Sequence, residues 1–336
     1  MALPLVFLLY VLSSAALVYF SIKCADYVDL LDKKTSMSGA FIGGVILAAV
    51  TSLPELVTSI SAISIGNPGL IIGNVLGSNI FNLCIFGSMT ALSVKAFAKC
   101  KIGRAHLATI VCTLVADLLM IGTMLLPVEY TRIPYIQVNF ASLLILVIYF
   151  ISLRFLSSDD TENEEEDTSP LTVKQIAVRM VFMALGLVGM SFIVTFFADQ
   201  LQEKLNLGAS LAGAIFLGVT TSLPELTSSI ALVRRRNFNA MVGNVVGSNM
   251  FNFTIFSIAD FLAGKTPVYQ SGDSSNASLL MIYFGIVSTV LVAASILLQN
   301  KFKQSNPEKK SKLFIYVLLG IGVCASYLIS LTMGAV

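Results

Sequence analysis

The chain contains, at residues 51–86, the sequence TSLPELVTSISAISIGNPGLIIGNVLGSNIFNLCIF, and repeats it at residues 221–256 as TSLPELTSSIALVRRRNFNAMVGNVVGSNMFNFTIF. The two copies lie 170 positions apart, align without a gap and are identical at 19 of 36 positions. Each copy holds one glutamate in an apolar run, Glu55 or Glu225. This period is too long for a solenoid repeat. It indicates a duplication that produced two related halves, as in many transporters.

Composition indicates a protein that crosses the membrane many times. Of its residues, 56% are hydrophobic and 12% are charged, whereas a soluble globular domain carries about 25% charged residues. The five cysteines lack the spacing of a metal site, and no basic cluster is interleaved with aromatic residues. The only histidine, His106, has no nucleophile or metal partner evident in the sequence. We therefore expect no cofactor, no nucleic-acid partner and no enzymatic activity.

Hydropathy predicts an all-α integral membrane protein with ten transmembrane helices, because a spanning helix needs about 20 apolar residues. Such segments lie at residues 4–22, 39–65, 68–93, 105–127, 134–156, 175–198, 208–233, 238–263, 277–299 and 313–334. We predict an N-terminal five-helix repeat at residues 1–156, a linker at 157–172 and a C-terminal five-helix repeat at 173–336. The linker has seven acidic residues among positions 159–167. That run is typical of a disordered loop, with a cation-sensing loop as the alternative.

The basic residues predict the orientation of the chain in a cell membrane. Ten spans place both termini on one side. With the termini outside, 18 of the 21 Lys and Arg residues fall on the inner side, and only Arg132, Lys204 and Lys265 fall outside, in agreement with the positive-inside rule. The acidic loop would then be cytoplasmic. Each half has an odd number of spans, so the two halves would be inverted relative to each other.

Four carboxylates lie in predicted spans, and two of them occupy equivalent positions in the repeats. A charge near the bilayer centre costs about 2.5–3.5 kcal/mol on insertion scales. The matched pair, Glu55 and Glu225, is therefore predicted to be functional. Asp117 and Asp260 have no repeat partner and are predicted to be structural, with Asp260 close enough to a span end to reach the interface.

The residues around both glutamates predict broken helices rich in oxygen donors. Pro54 and Pro224 each remove a backbone donor, which frees carbonyl groups about four residues earlier. Irregular backbone at this depth is tolerated only where protein buries it or where it lines a cavity. The accompanying hydroxyl and amide groups belong to Thr51, Ser52, Ser78, Asn79, Asn82, Thr221, Ser222, Ser248, Asn249 and Asn252. The glycines predicted to allow close helix packing are Gly73, Gly77, Gly243 and Gly247.

These donor types predict a site for a hard cation. All of them are oxygens, which excludes a soft-metal site. Ca²⁺ accepts about six to eight oxygen ligands in flexible geometry, and two carboxylates would neutralise its charge. The same oxygens suit Na⁺ when Ca²⁺ leaves. The two glutamates can alternatively take up protons.

At these residues the chain resembles the calcium/cation antiporter superfamily, specifically the sodium/calcium exchanger family and its short prokaryotic members. The resemblance is carried by TSLPEL with GNVLGSNIFN and by TSLPEL with GNVVGSNMFN, within alpha-repeats at residues 48–86 and 218–256. It implies discontinuous helices around a central Ca²⁺ site formed by Glu55, Asn82, Glu225 and Asn252. It implies Na⁺ sites formed by hydroxyls and carbonyls of Ala48, Thr51, Ser52, Ser78, Gly218, Thr221, Ser222 and Ser248. Many relatives have Asp at one of the two amide positions, whereas this chain has only two ionisable ligands.

The sequence thus predicts a Na⁺/Ca²⁺ antiporter that exports Ca²⁺ by alternating access. An empty site with two negative charges would reorient at high cost, whereas one bound Ca²⁺ makes it neutral. A H⁺/Ca²⁺ exchanger, or one for another divalent cation, is the first alternative, and a cation channel is the second. We expect a monomer whose partners are Ca²⁺, Na⁺ and the lipid bilayer, with H⁺ as the alternative counter-ion.

Overall fold

The computed structural model describes residues 1–34, 51–100, 102–103, 105–156, 170–234, 236–272, 277–302 and 309–334. These residues form helices, and the only β-pairing among them is an isolated bridge between Arg132 and Asn139. The first half contains α1 (Leu3–Lys34), α2 (Leu53–Ser64), α3 (Gly69–Leu92), α4 (Val94–Lys99), α5 (Ala105–Leu125), α6 (Val128–Thr131) and α7 (Phe140–Leu156).

The second half repeats the order of the main helices. It contains α8 (Val173–Leu205), α9 (Ala209–Thr221), α10 (Leu223–Arg234), α11 (Phe238–Ala263), α12 (Ala277–Phe302) and α13 (Lys310–Gly334). Adding 170 to the bounds of α2 gives those of α10, and adding it to α1 gives residues 173–204, which lie within α8. The helices therefore carry the same duplication as the sequence.

Seven described helices are long and apolar enough to cross a membrane, or eight if the bent pair α9 and α10 counts as one span. Two shorter apolar helices, α2 and the stretch Phe140–Arg154 of α7, lie inside two more of the segments predicted to span. All ten predicted segments therefore contain helix, and seven or eight qualify as spans by length and composition. Residues 39–50 of the second predicted span and 157–169 of the acidic linker lie outside the described residues.

The predicted span at residues 4–22 agrees with the apolar stretch Leu3–Cys24 of α1, although the helix itself continues to Lys34. One predicted span boundary was wrong. The span predicted at residues 134–156 begins in a turn, and α7 starts only at Phe140. The backbone of Tyr135 and Gln137 is left-handed in that turn, with φ of 75° and 58°, which a continuing helix does not allow.

The least apolar of the spanning helices lie at the centre of the bundle. In the most apolar stretch of each helix, 89% of the residues are buried in α3 and 78% in α11, against 33% in α1 and 22% in α8. The outer helices expose large apolar side chains, such as Phe7 on α1 and Leu185 on α8. Apolar residues therefore cover the outside and polar residues lie inside, as expected for a chain that is solvated by lipid.

Each glutamate lies three residues after a serine whose backbone departs from the α-helical conformation. Ser222 separates α9 from α10, which are bent by 43° relative to each other, and its backbone has φ −89° and ψ 6°. Ser52, directly before α2, has nearly the same backbone, with φ −92° and ψ 10°. Pro54 and Pro224 lie in the first turn after each of these serines, where the missing N–H costs nothing. This confirms the predicted helix break in the second half.

Gly73 and Gly77 bring α3 into backbone contact with α9, as predicted, whereas a methyl group on Gly243 would lie 3.2 Å from the His106 ring and not against a backbone. A methyl group on Gly77 would lie 2.6 Å from the Cα atom of Ala214, and one on Gly73 would collide with the carbonyl of Ser210. On the facing helix, a methyl group on Gly218 would lie 2.9 Å from the backbone nitrogen of Ser78. Side chains on α3 therefore reach the backbone of α9 directly, which positions the site described next.

Candidate cation site at the broken helices

Glu55 and Glu225 lie at the centre of the protein, and each accepts a hydrogen bond from the opposite half. Both side chains are fully buried. The Ser222 hydroxyl donates to Glu55 Oε1 at 3.0 Å, and the Ser52 hydroxyl donates to Glu225 Oε1 at 3.3 Å. Because these serines are the residues at the helix breaks, the break of one half is bonded to the carboxylate of the other.

Hydroxyls on α3 and α11 reach the same carboxylates from within each half. Ser78 Oγ lies 3.5 Å from Glu55 Oε1, and Ser248 Oγ lies 3.5 Å from Glu225 Oε1. Ser78 Oγ is also 3.2 Å from the carbonyl oxygen of Gly218. The predicted Na⁺ donors that belong to this network are Thr51, Ser52, Ser78, Gly218, Thr221, Ser222 and Ser248. The remaining predicted donor, Ala48, lies outside the described residues.

Four amides lie on the same two helices: Asn79 and Asn249 directly follow the serines, and Asn82 and Asn252 lie about one turn beyond them. Asn82 Nδ2 donates to Asn249 Oδ1 at 3.1 Å, and Asn252 Nδ2 donates to Asn79 Oδ1 at 2.9 Å. Asn249 Nδ2 donates in turn to the carbonyl oxygen of Asn79 at 3.0 Å. Asn79 and Asn249 therefore orient the predicted ligands Asn82 and Asn252, because they occupy the donor end of each ligand amide and leave its oxygen free.

In the described part of the chain, each of the four predicted Ca²⁺ ligands has one buried oxygen without a hydrogen-bond partner: Glu55 Oε2, Glu225 Oε2, Asn82 Oδ1 and Asn252 Oδ1. Asn244 Oδ1 and Ser229 Oγ also lack a partner. All four predicted ligand side chains are fully excluded from solvent. An unsatisfied buried polar group costs about 1–3 kcal/mol, and more when it is charged. A bound water, a proton on the carboxylate or a cation can each satisfy an oxygen of this kind. Two carboxylate and two amide oxygens suit a hard cation such as Ca²⁺.

Asn74 and Asn244 hold the two glutamate-bearing helices, and neither was among the predicted ligands. Asn74 is fully buried on α3, and its Nδ2 atom contacts three groups of α2. These are the carbonyl of Glu55 at 3.1 Å and the hydroxyls of Thr58 at 3.0 Å and Ser59 at 2.9 Å. Asn244 Nδ2 on α11 donates to the Ser228 hydroxyl of α10 at 3.1 Å. Their place in the GNV segment of both repeats was the sequence signal that could have revealed them.

The two carboxylates without a repeat partner are not bonded to this network in the described residues. Asp260 is fully buried and does not reach a surface, contrary to the expectation from its position near a span end. Its Oδ2 atom accepts bonds from the Asn139 backbone at 2.7 Å and the Ser142 hydroxyl at 2.8 Å, and its Oδ1 atom lies 3.7 Å from Arg132. Asp260 thus ties α11 to the start of α7, which agrees with the predicted structural role. Asp117 is buried on α5.

Comparison with known proteins shows the family. The family model described as "Sodium/calcium exchanger protein" matches residues 5–157 and 176–334, and so includes both copies of the repeat. The chain belongs to the sodium/calcium exchanger protein family. One relative is the inner membrane protein YrbG of Escherichia coli (strain K12). It is 26% identical over 301 residues, which are 85% of this chain and 87% of YrbG.

Solved structures show that this sodium/calcium exchanger family member shares its fold with cation exchangers. The structure of the sodium-calcium exchanger NCX_Mj, soaked with 10 mM Na⁺ and 10 mM Sr²⁺, has a TM-score of 0.57 at 24% identity, over 98% of this chain and 99% of that chain. The H⁺/Ca²⁺ exchanger CAX has a TM-score of 0.67 at 14% identity, over 98% of this chain and 90% of that chain. Both likenesses extend over nearly the whole chain, so the overall fold is shared.

Proposed function

We propose that this protein is an antiporter that exports Ca²⁺ in exchange for Na⁺ at the Glu55–Glu225 site. The observation that carries the proposal is the group of four unsatisfied, fully buried oxygens contributed by Glu55, Glu225, Asn82 and Asn252. One Ca²⁺ would satisfy all four and neutralise the two carboxylates. The surrounding hydroxyls and carbonyls would raise the ligand number toward the six to eight oxygens that Ca²⁺ accepts.

The hydroxyl-rich surroundings support Na⁺ as the counter-ion. Ser52 and Ser222 bond the carboxylates across the two halves, and Ser78 lies between Glu55 and the Gly218 carbonyl. Neutral oxygens of this kind coordinate a monovalent cation without adding charge. Na⁺ and Ca²⁺ would therefore compete for the same carboxylates, and that competition would couple the two fluxes.

The net charge of the site would decide which of its states can reorient between the two sides of the membrane. An empty site would carry two negative charges through the low-dielectric interior, which is costly, whereas the Ca²⁺-loaded site is neutral and moves more readily. With two Na⁺ the loaded site is also neutral, and with three Na⁺ it carries one positive charge. Two-Na⁺ exchange would be electrically silent and three-Na⁺ exchange would be electrogenic.

The proposal includes an arrangement of ten spans in two inverted halves, 1–156 and 173–336, joined by the 157–172 linker. The pairing of α1 with α8, α2 with α10 and α3 with α11 at a shift of 170 residues supports it. The distribution of basic residues supports placement of both termini outside and of the linker in the cytoplasm. In that orientation the two helix breaks would enter the membrane from opposite faces and meet at its centre.

The alternative function is H⁺/Ca²⁺ exchange, in which Glu55 and Glu225 are protonated on the return step. The likeness to the H⁺/Ca²⁺ exchanger CAX favours this alternative. The two functions use the same Ca²⁺ ligands, so the site geometry serves both. They differ in which gradient drives Ca²⁺ movement.

Uptake of radiolabelled Ca²⁺ into proteoliposomes tests the proposal. We expect uptake when the vesicles contain Na⁺ and the outside does not, at equal pH on both sides, and no uptake without the Na⁺ gradient. Uptake that follows a pH gradient alone would replace Na⁺ by H⁺ as the counter-ion. Saturation by Ca²⁺ distinguishes an exchanger from a channel, and Ca²⁺ flux that needs no counter-ion would exclude both exchange functions. Repeating the assay with the membrane potential clamped by valinomycin and K⁺ separates silent from electrogenic exchange.

A further inference from the structure

Tyr10 connects the outer helix α1 to the helix that carries part of the site. Only 8% of its surface is exposed. Its hydroxyl donates to the carbonyl oxygen of Phe216 at 2.6 Å and lies 2.6 Å from Thr220 Oγ1. Its ring packs edge-on against the Phe216 ring, with 5.3 Å between centroids and 70° between planes. Both partners belong to α9, so a single side chain of α1 makes three contacts with this broken helix.

The direction of both hydrogen bonds follows from proton count. A phenol has one proton, and a carbonyl oxygen only accepts. Tyr10 therefore donates to Phe216, and Thr220 donates to Tyr10. A threonine in a helix commonly donates to the carbonyl four residues earlier, which for Thr220 is that of Phe216. Here the Tyr10 hydroxyl lies between the two groups: it accepts from the Thr220 hydroxyl and donates to the Phe216 carbonyl in its place.

The carbonyl that Tyr10 holds belongs to a π-helical turn, Gly213–Gly218, inside α9. In such a turn the backbone N–H groups bond five residues back, so the carbonyl directions differ from those of an α-helix. Three successive carbonyls at the end of this turn each accept a side-chain hydroxyl. The pairs are Tyr10 with Phe216 at 2.6 Å, Thr221 with Leu217 at 2.9 Å and Ser78 with Gly218 at 3.2 Å. Hydroxyl groups therefore help to fix how this stretch of backbone points.

This stretch leads directly to the cation site. Gly218, two residues after Phe216, places its carbonyl beside Ser78, which contacts Glu55. The residue 170 positions after Tyr10 is Met180, which has no hydroxyl, so the duplicated position cannot donate the same hydrogen bond. The hydroxyl of Tyr10 is therefore specific to one copy of the repeat.

We propose that Tyr10 is a positioning residue. It holds the π-helical turn in the conformation in which the Gly218 carbonyl oxygen coordinates Na⁺. It does not touch the cation itself. The inference rests on the proposed function, since Gly218 is a proposed Na⁺ donor, whereas the four oxygens proposed for Ca²⁺ lie on α2, α3, α10 and α11. Loss of the Tyr10 hydroxyl should therefore weaken Na⁺ more than Ca²⁺.

The test is Tyr10→Phe in proteoliposomes, with Tyr19→Phe as the matched control. Tyr10→Phe removes one hydroxyl and keeps the ring contact, while Tyr19 is on the same helix with 55% of its surface exposed. One hydrogen bond is worth about 1 kcal/mol, so we expect Tyr10→Phe to raise the KM for Na⁺ about fivefold. The KM for Ca²⁺, measured by Ca²⁺/Ca²⁺ exchange without Na⁺, should change less than twofold. Tyr19→Phe should match the wild type in both.

Equal changes in both KM values, or no change in either, would overturn the positioning role. A wild type that exchanges Ca²⁺ for Ca²⁺ but ignores Na⁺ would instead refute the Na⁺ part of the proposed function. A second measurement compares the Na⁺ KM of Thr220→Val with that of the double variant Tyr10→Phe, Thr220→Val. If the three side chains act as one chain of bonds, the two single effects on the Na⁺ KM will not multiply in the double variant. Independent effects would contradict the inference.

Discussion

The Glu55 half and the Glu225 half of the site have nearly the same chemistry but different support. Each carboxylate is fully buried, accepts a bond from the serine at the opposite helix break and lies 3.5 Å from a serine of its own half. The halves differ in the residues that hold the two glutamate-bearing helices. Asn74 contacts three groups behind Glu55, whereas its equivalent Asn244 donates to one hydroxyl.

This comparison distinguishes the residues proposed to bind the cation from the residues that hold their helices in place. A cation bound between two halves interacts with both, so the atoms proposed to touch it are duplicated. The residues that hold the helices contact only their own surroundings, which differ between the halves. We therefore expect substitutions in the duplicated shell to have similar effects in both halves and substitutions behind it to have unequal effects.

The largest expected effect is the loss of either carboxylate. Removing one partner of a buried ion pair costs about 3–5 kcal/mol. Each glutamate is proposed to pair with the bound Ca²⁺, so Glu55→Gln and Glu225→Gln should each reduce the rate of Ca²⁺ exchange about 100-fold or more. The measurement is Ca²⁺/Ca²⁺ exchange in proteoliposomes, with substitution of the exposed Glu129 on α6, Glu129→Gln, as the control. Near-normal exchange in only one of the two variants would show that the halves are not equivalent. Near-normal exchange in both would show that the cation site lies elsewhere.

A second, unequal effect is expected for the supporting asparagines. Hydrogen bonds between membrane helices contribute about 0.6 kcal/mol each on average. Asn74 donates its two amide protons and accepts a third bond from the Thr221 hydroxyl, so Asn74→Ala should destabilise the protein by about 2 kcal/mol. Asn244→Ala, which removes one bond, should destabilise it by about 0.6 kcal/mol. Thermal unfolding of the detergent-solubilised protein, followed through exposure of its cysteines to a thiol-reactive dye, gives the comparison. Equal shifts in Tm for the two variants would contradict the prediction that Asn74 stabilises its half more than Asn244 does.

The smallest expected effect is that of the reciprocal serines. Ser52→Ala and Ser222→Ala each delete one bond to a carboxylate, at 3.3 Å and 3.0 Å. A typical net contribution of about 1 kcal/mol predicts that the KM for Ca²⁺ changes by about fivefold in each variant. The direction of the change reports the role of the bond. A higher KM means that the hydroxyl helps to bind Ca²⁺, and a lower KM means that it competes with Ca²⁺ for the carboxylate.

Much of the site could be predicted from the sequence because its residues are duplicated. Two copies of TSLPEL and GSN-x-FN identify Glu55, Asn82, Glu225 and Asn252 as equivalent pairs, and an apolar context makes their polarity conspicuous. Asn79 and Asn249 also stand out as repeated amides. Their part in orienting Asn82 and Asn252 was hidden, because it depends on which amide faces which across the two halves.

Tyr10 had no such signal. It is one tyrosine in an apolar first helix, without a counterpart in the other half, and sequence patterns do not show that it approaches Phe216, 206 positions away. The burial of Asp260 was missed for a similar reason. Its partners Arg132, Asn139 and Ser142 lie in a different half of the chain.

The sequence by itself determined the helical membrane class, the duplication and the identities of the paired polar residues. Hydropathy and repetition are local or periodic properties, so they can be read from one chain. Only the tertiary structure decided that Ser52 bonds Glu225 rather than Glu55, and that four particular oxygens are left without partners. The physical reason is that hydrogen-bond satisfaction depends on distances between helices, and glycine contacts such as Gly77 against Ala214 set those distances when the halves pack together.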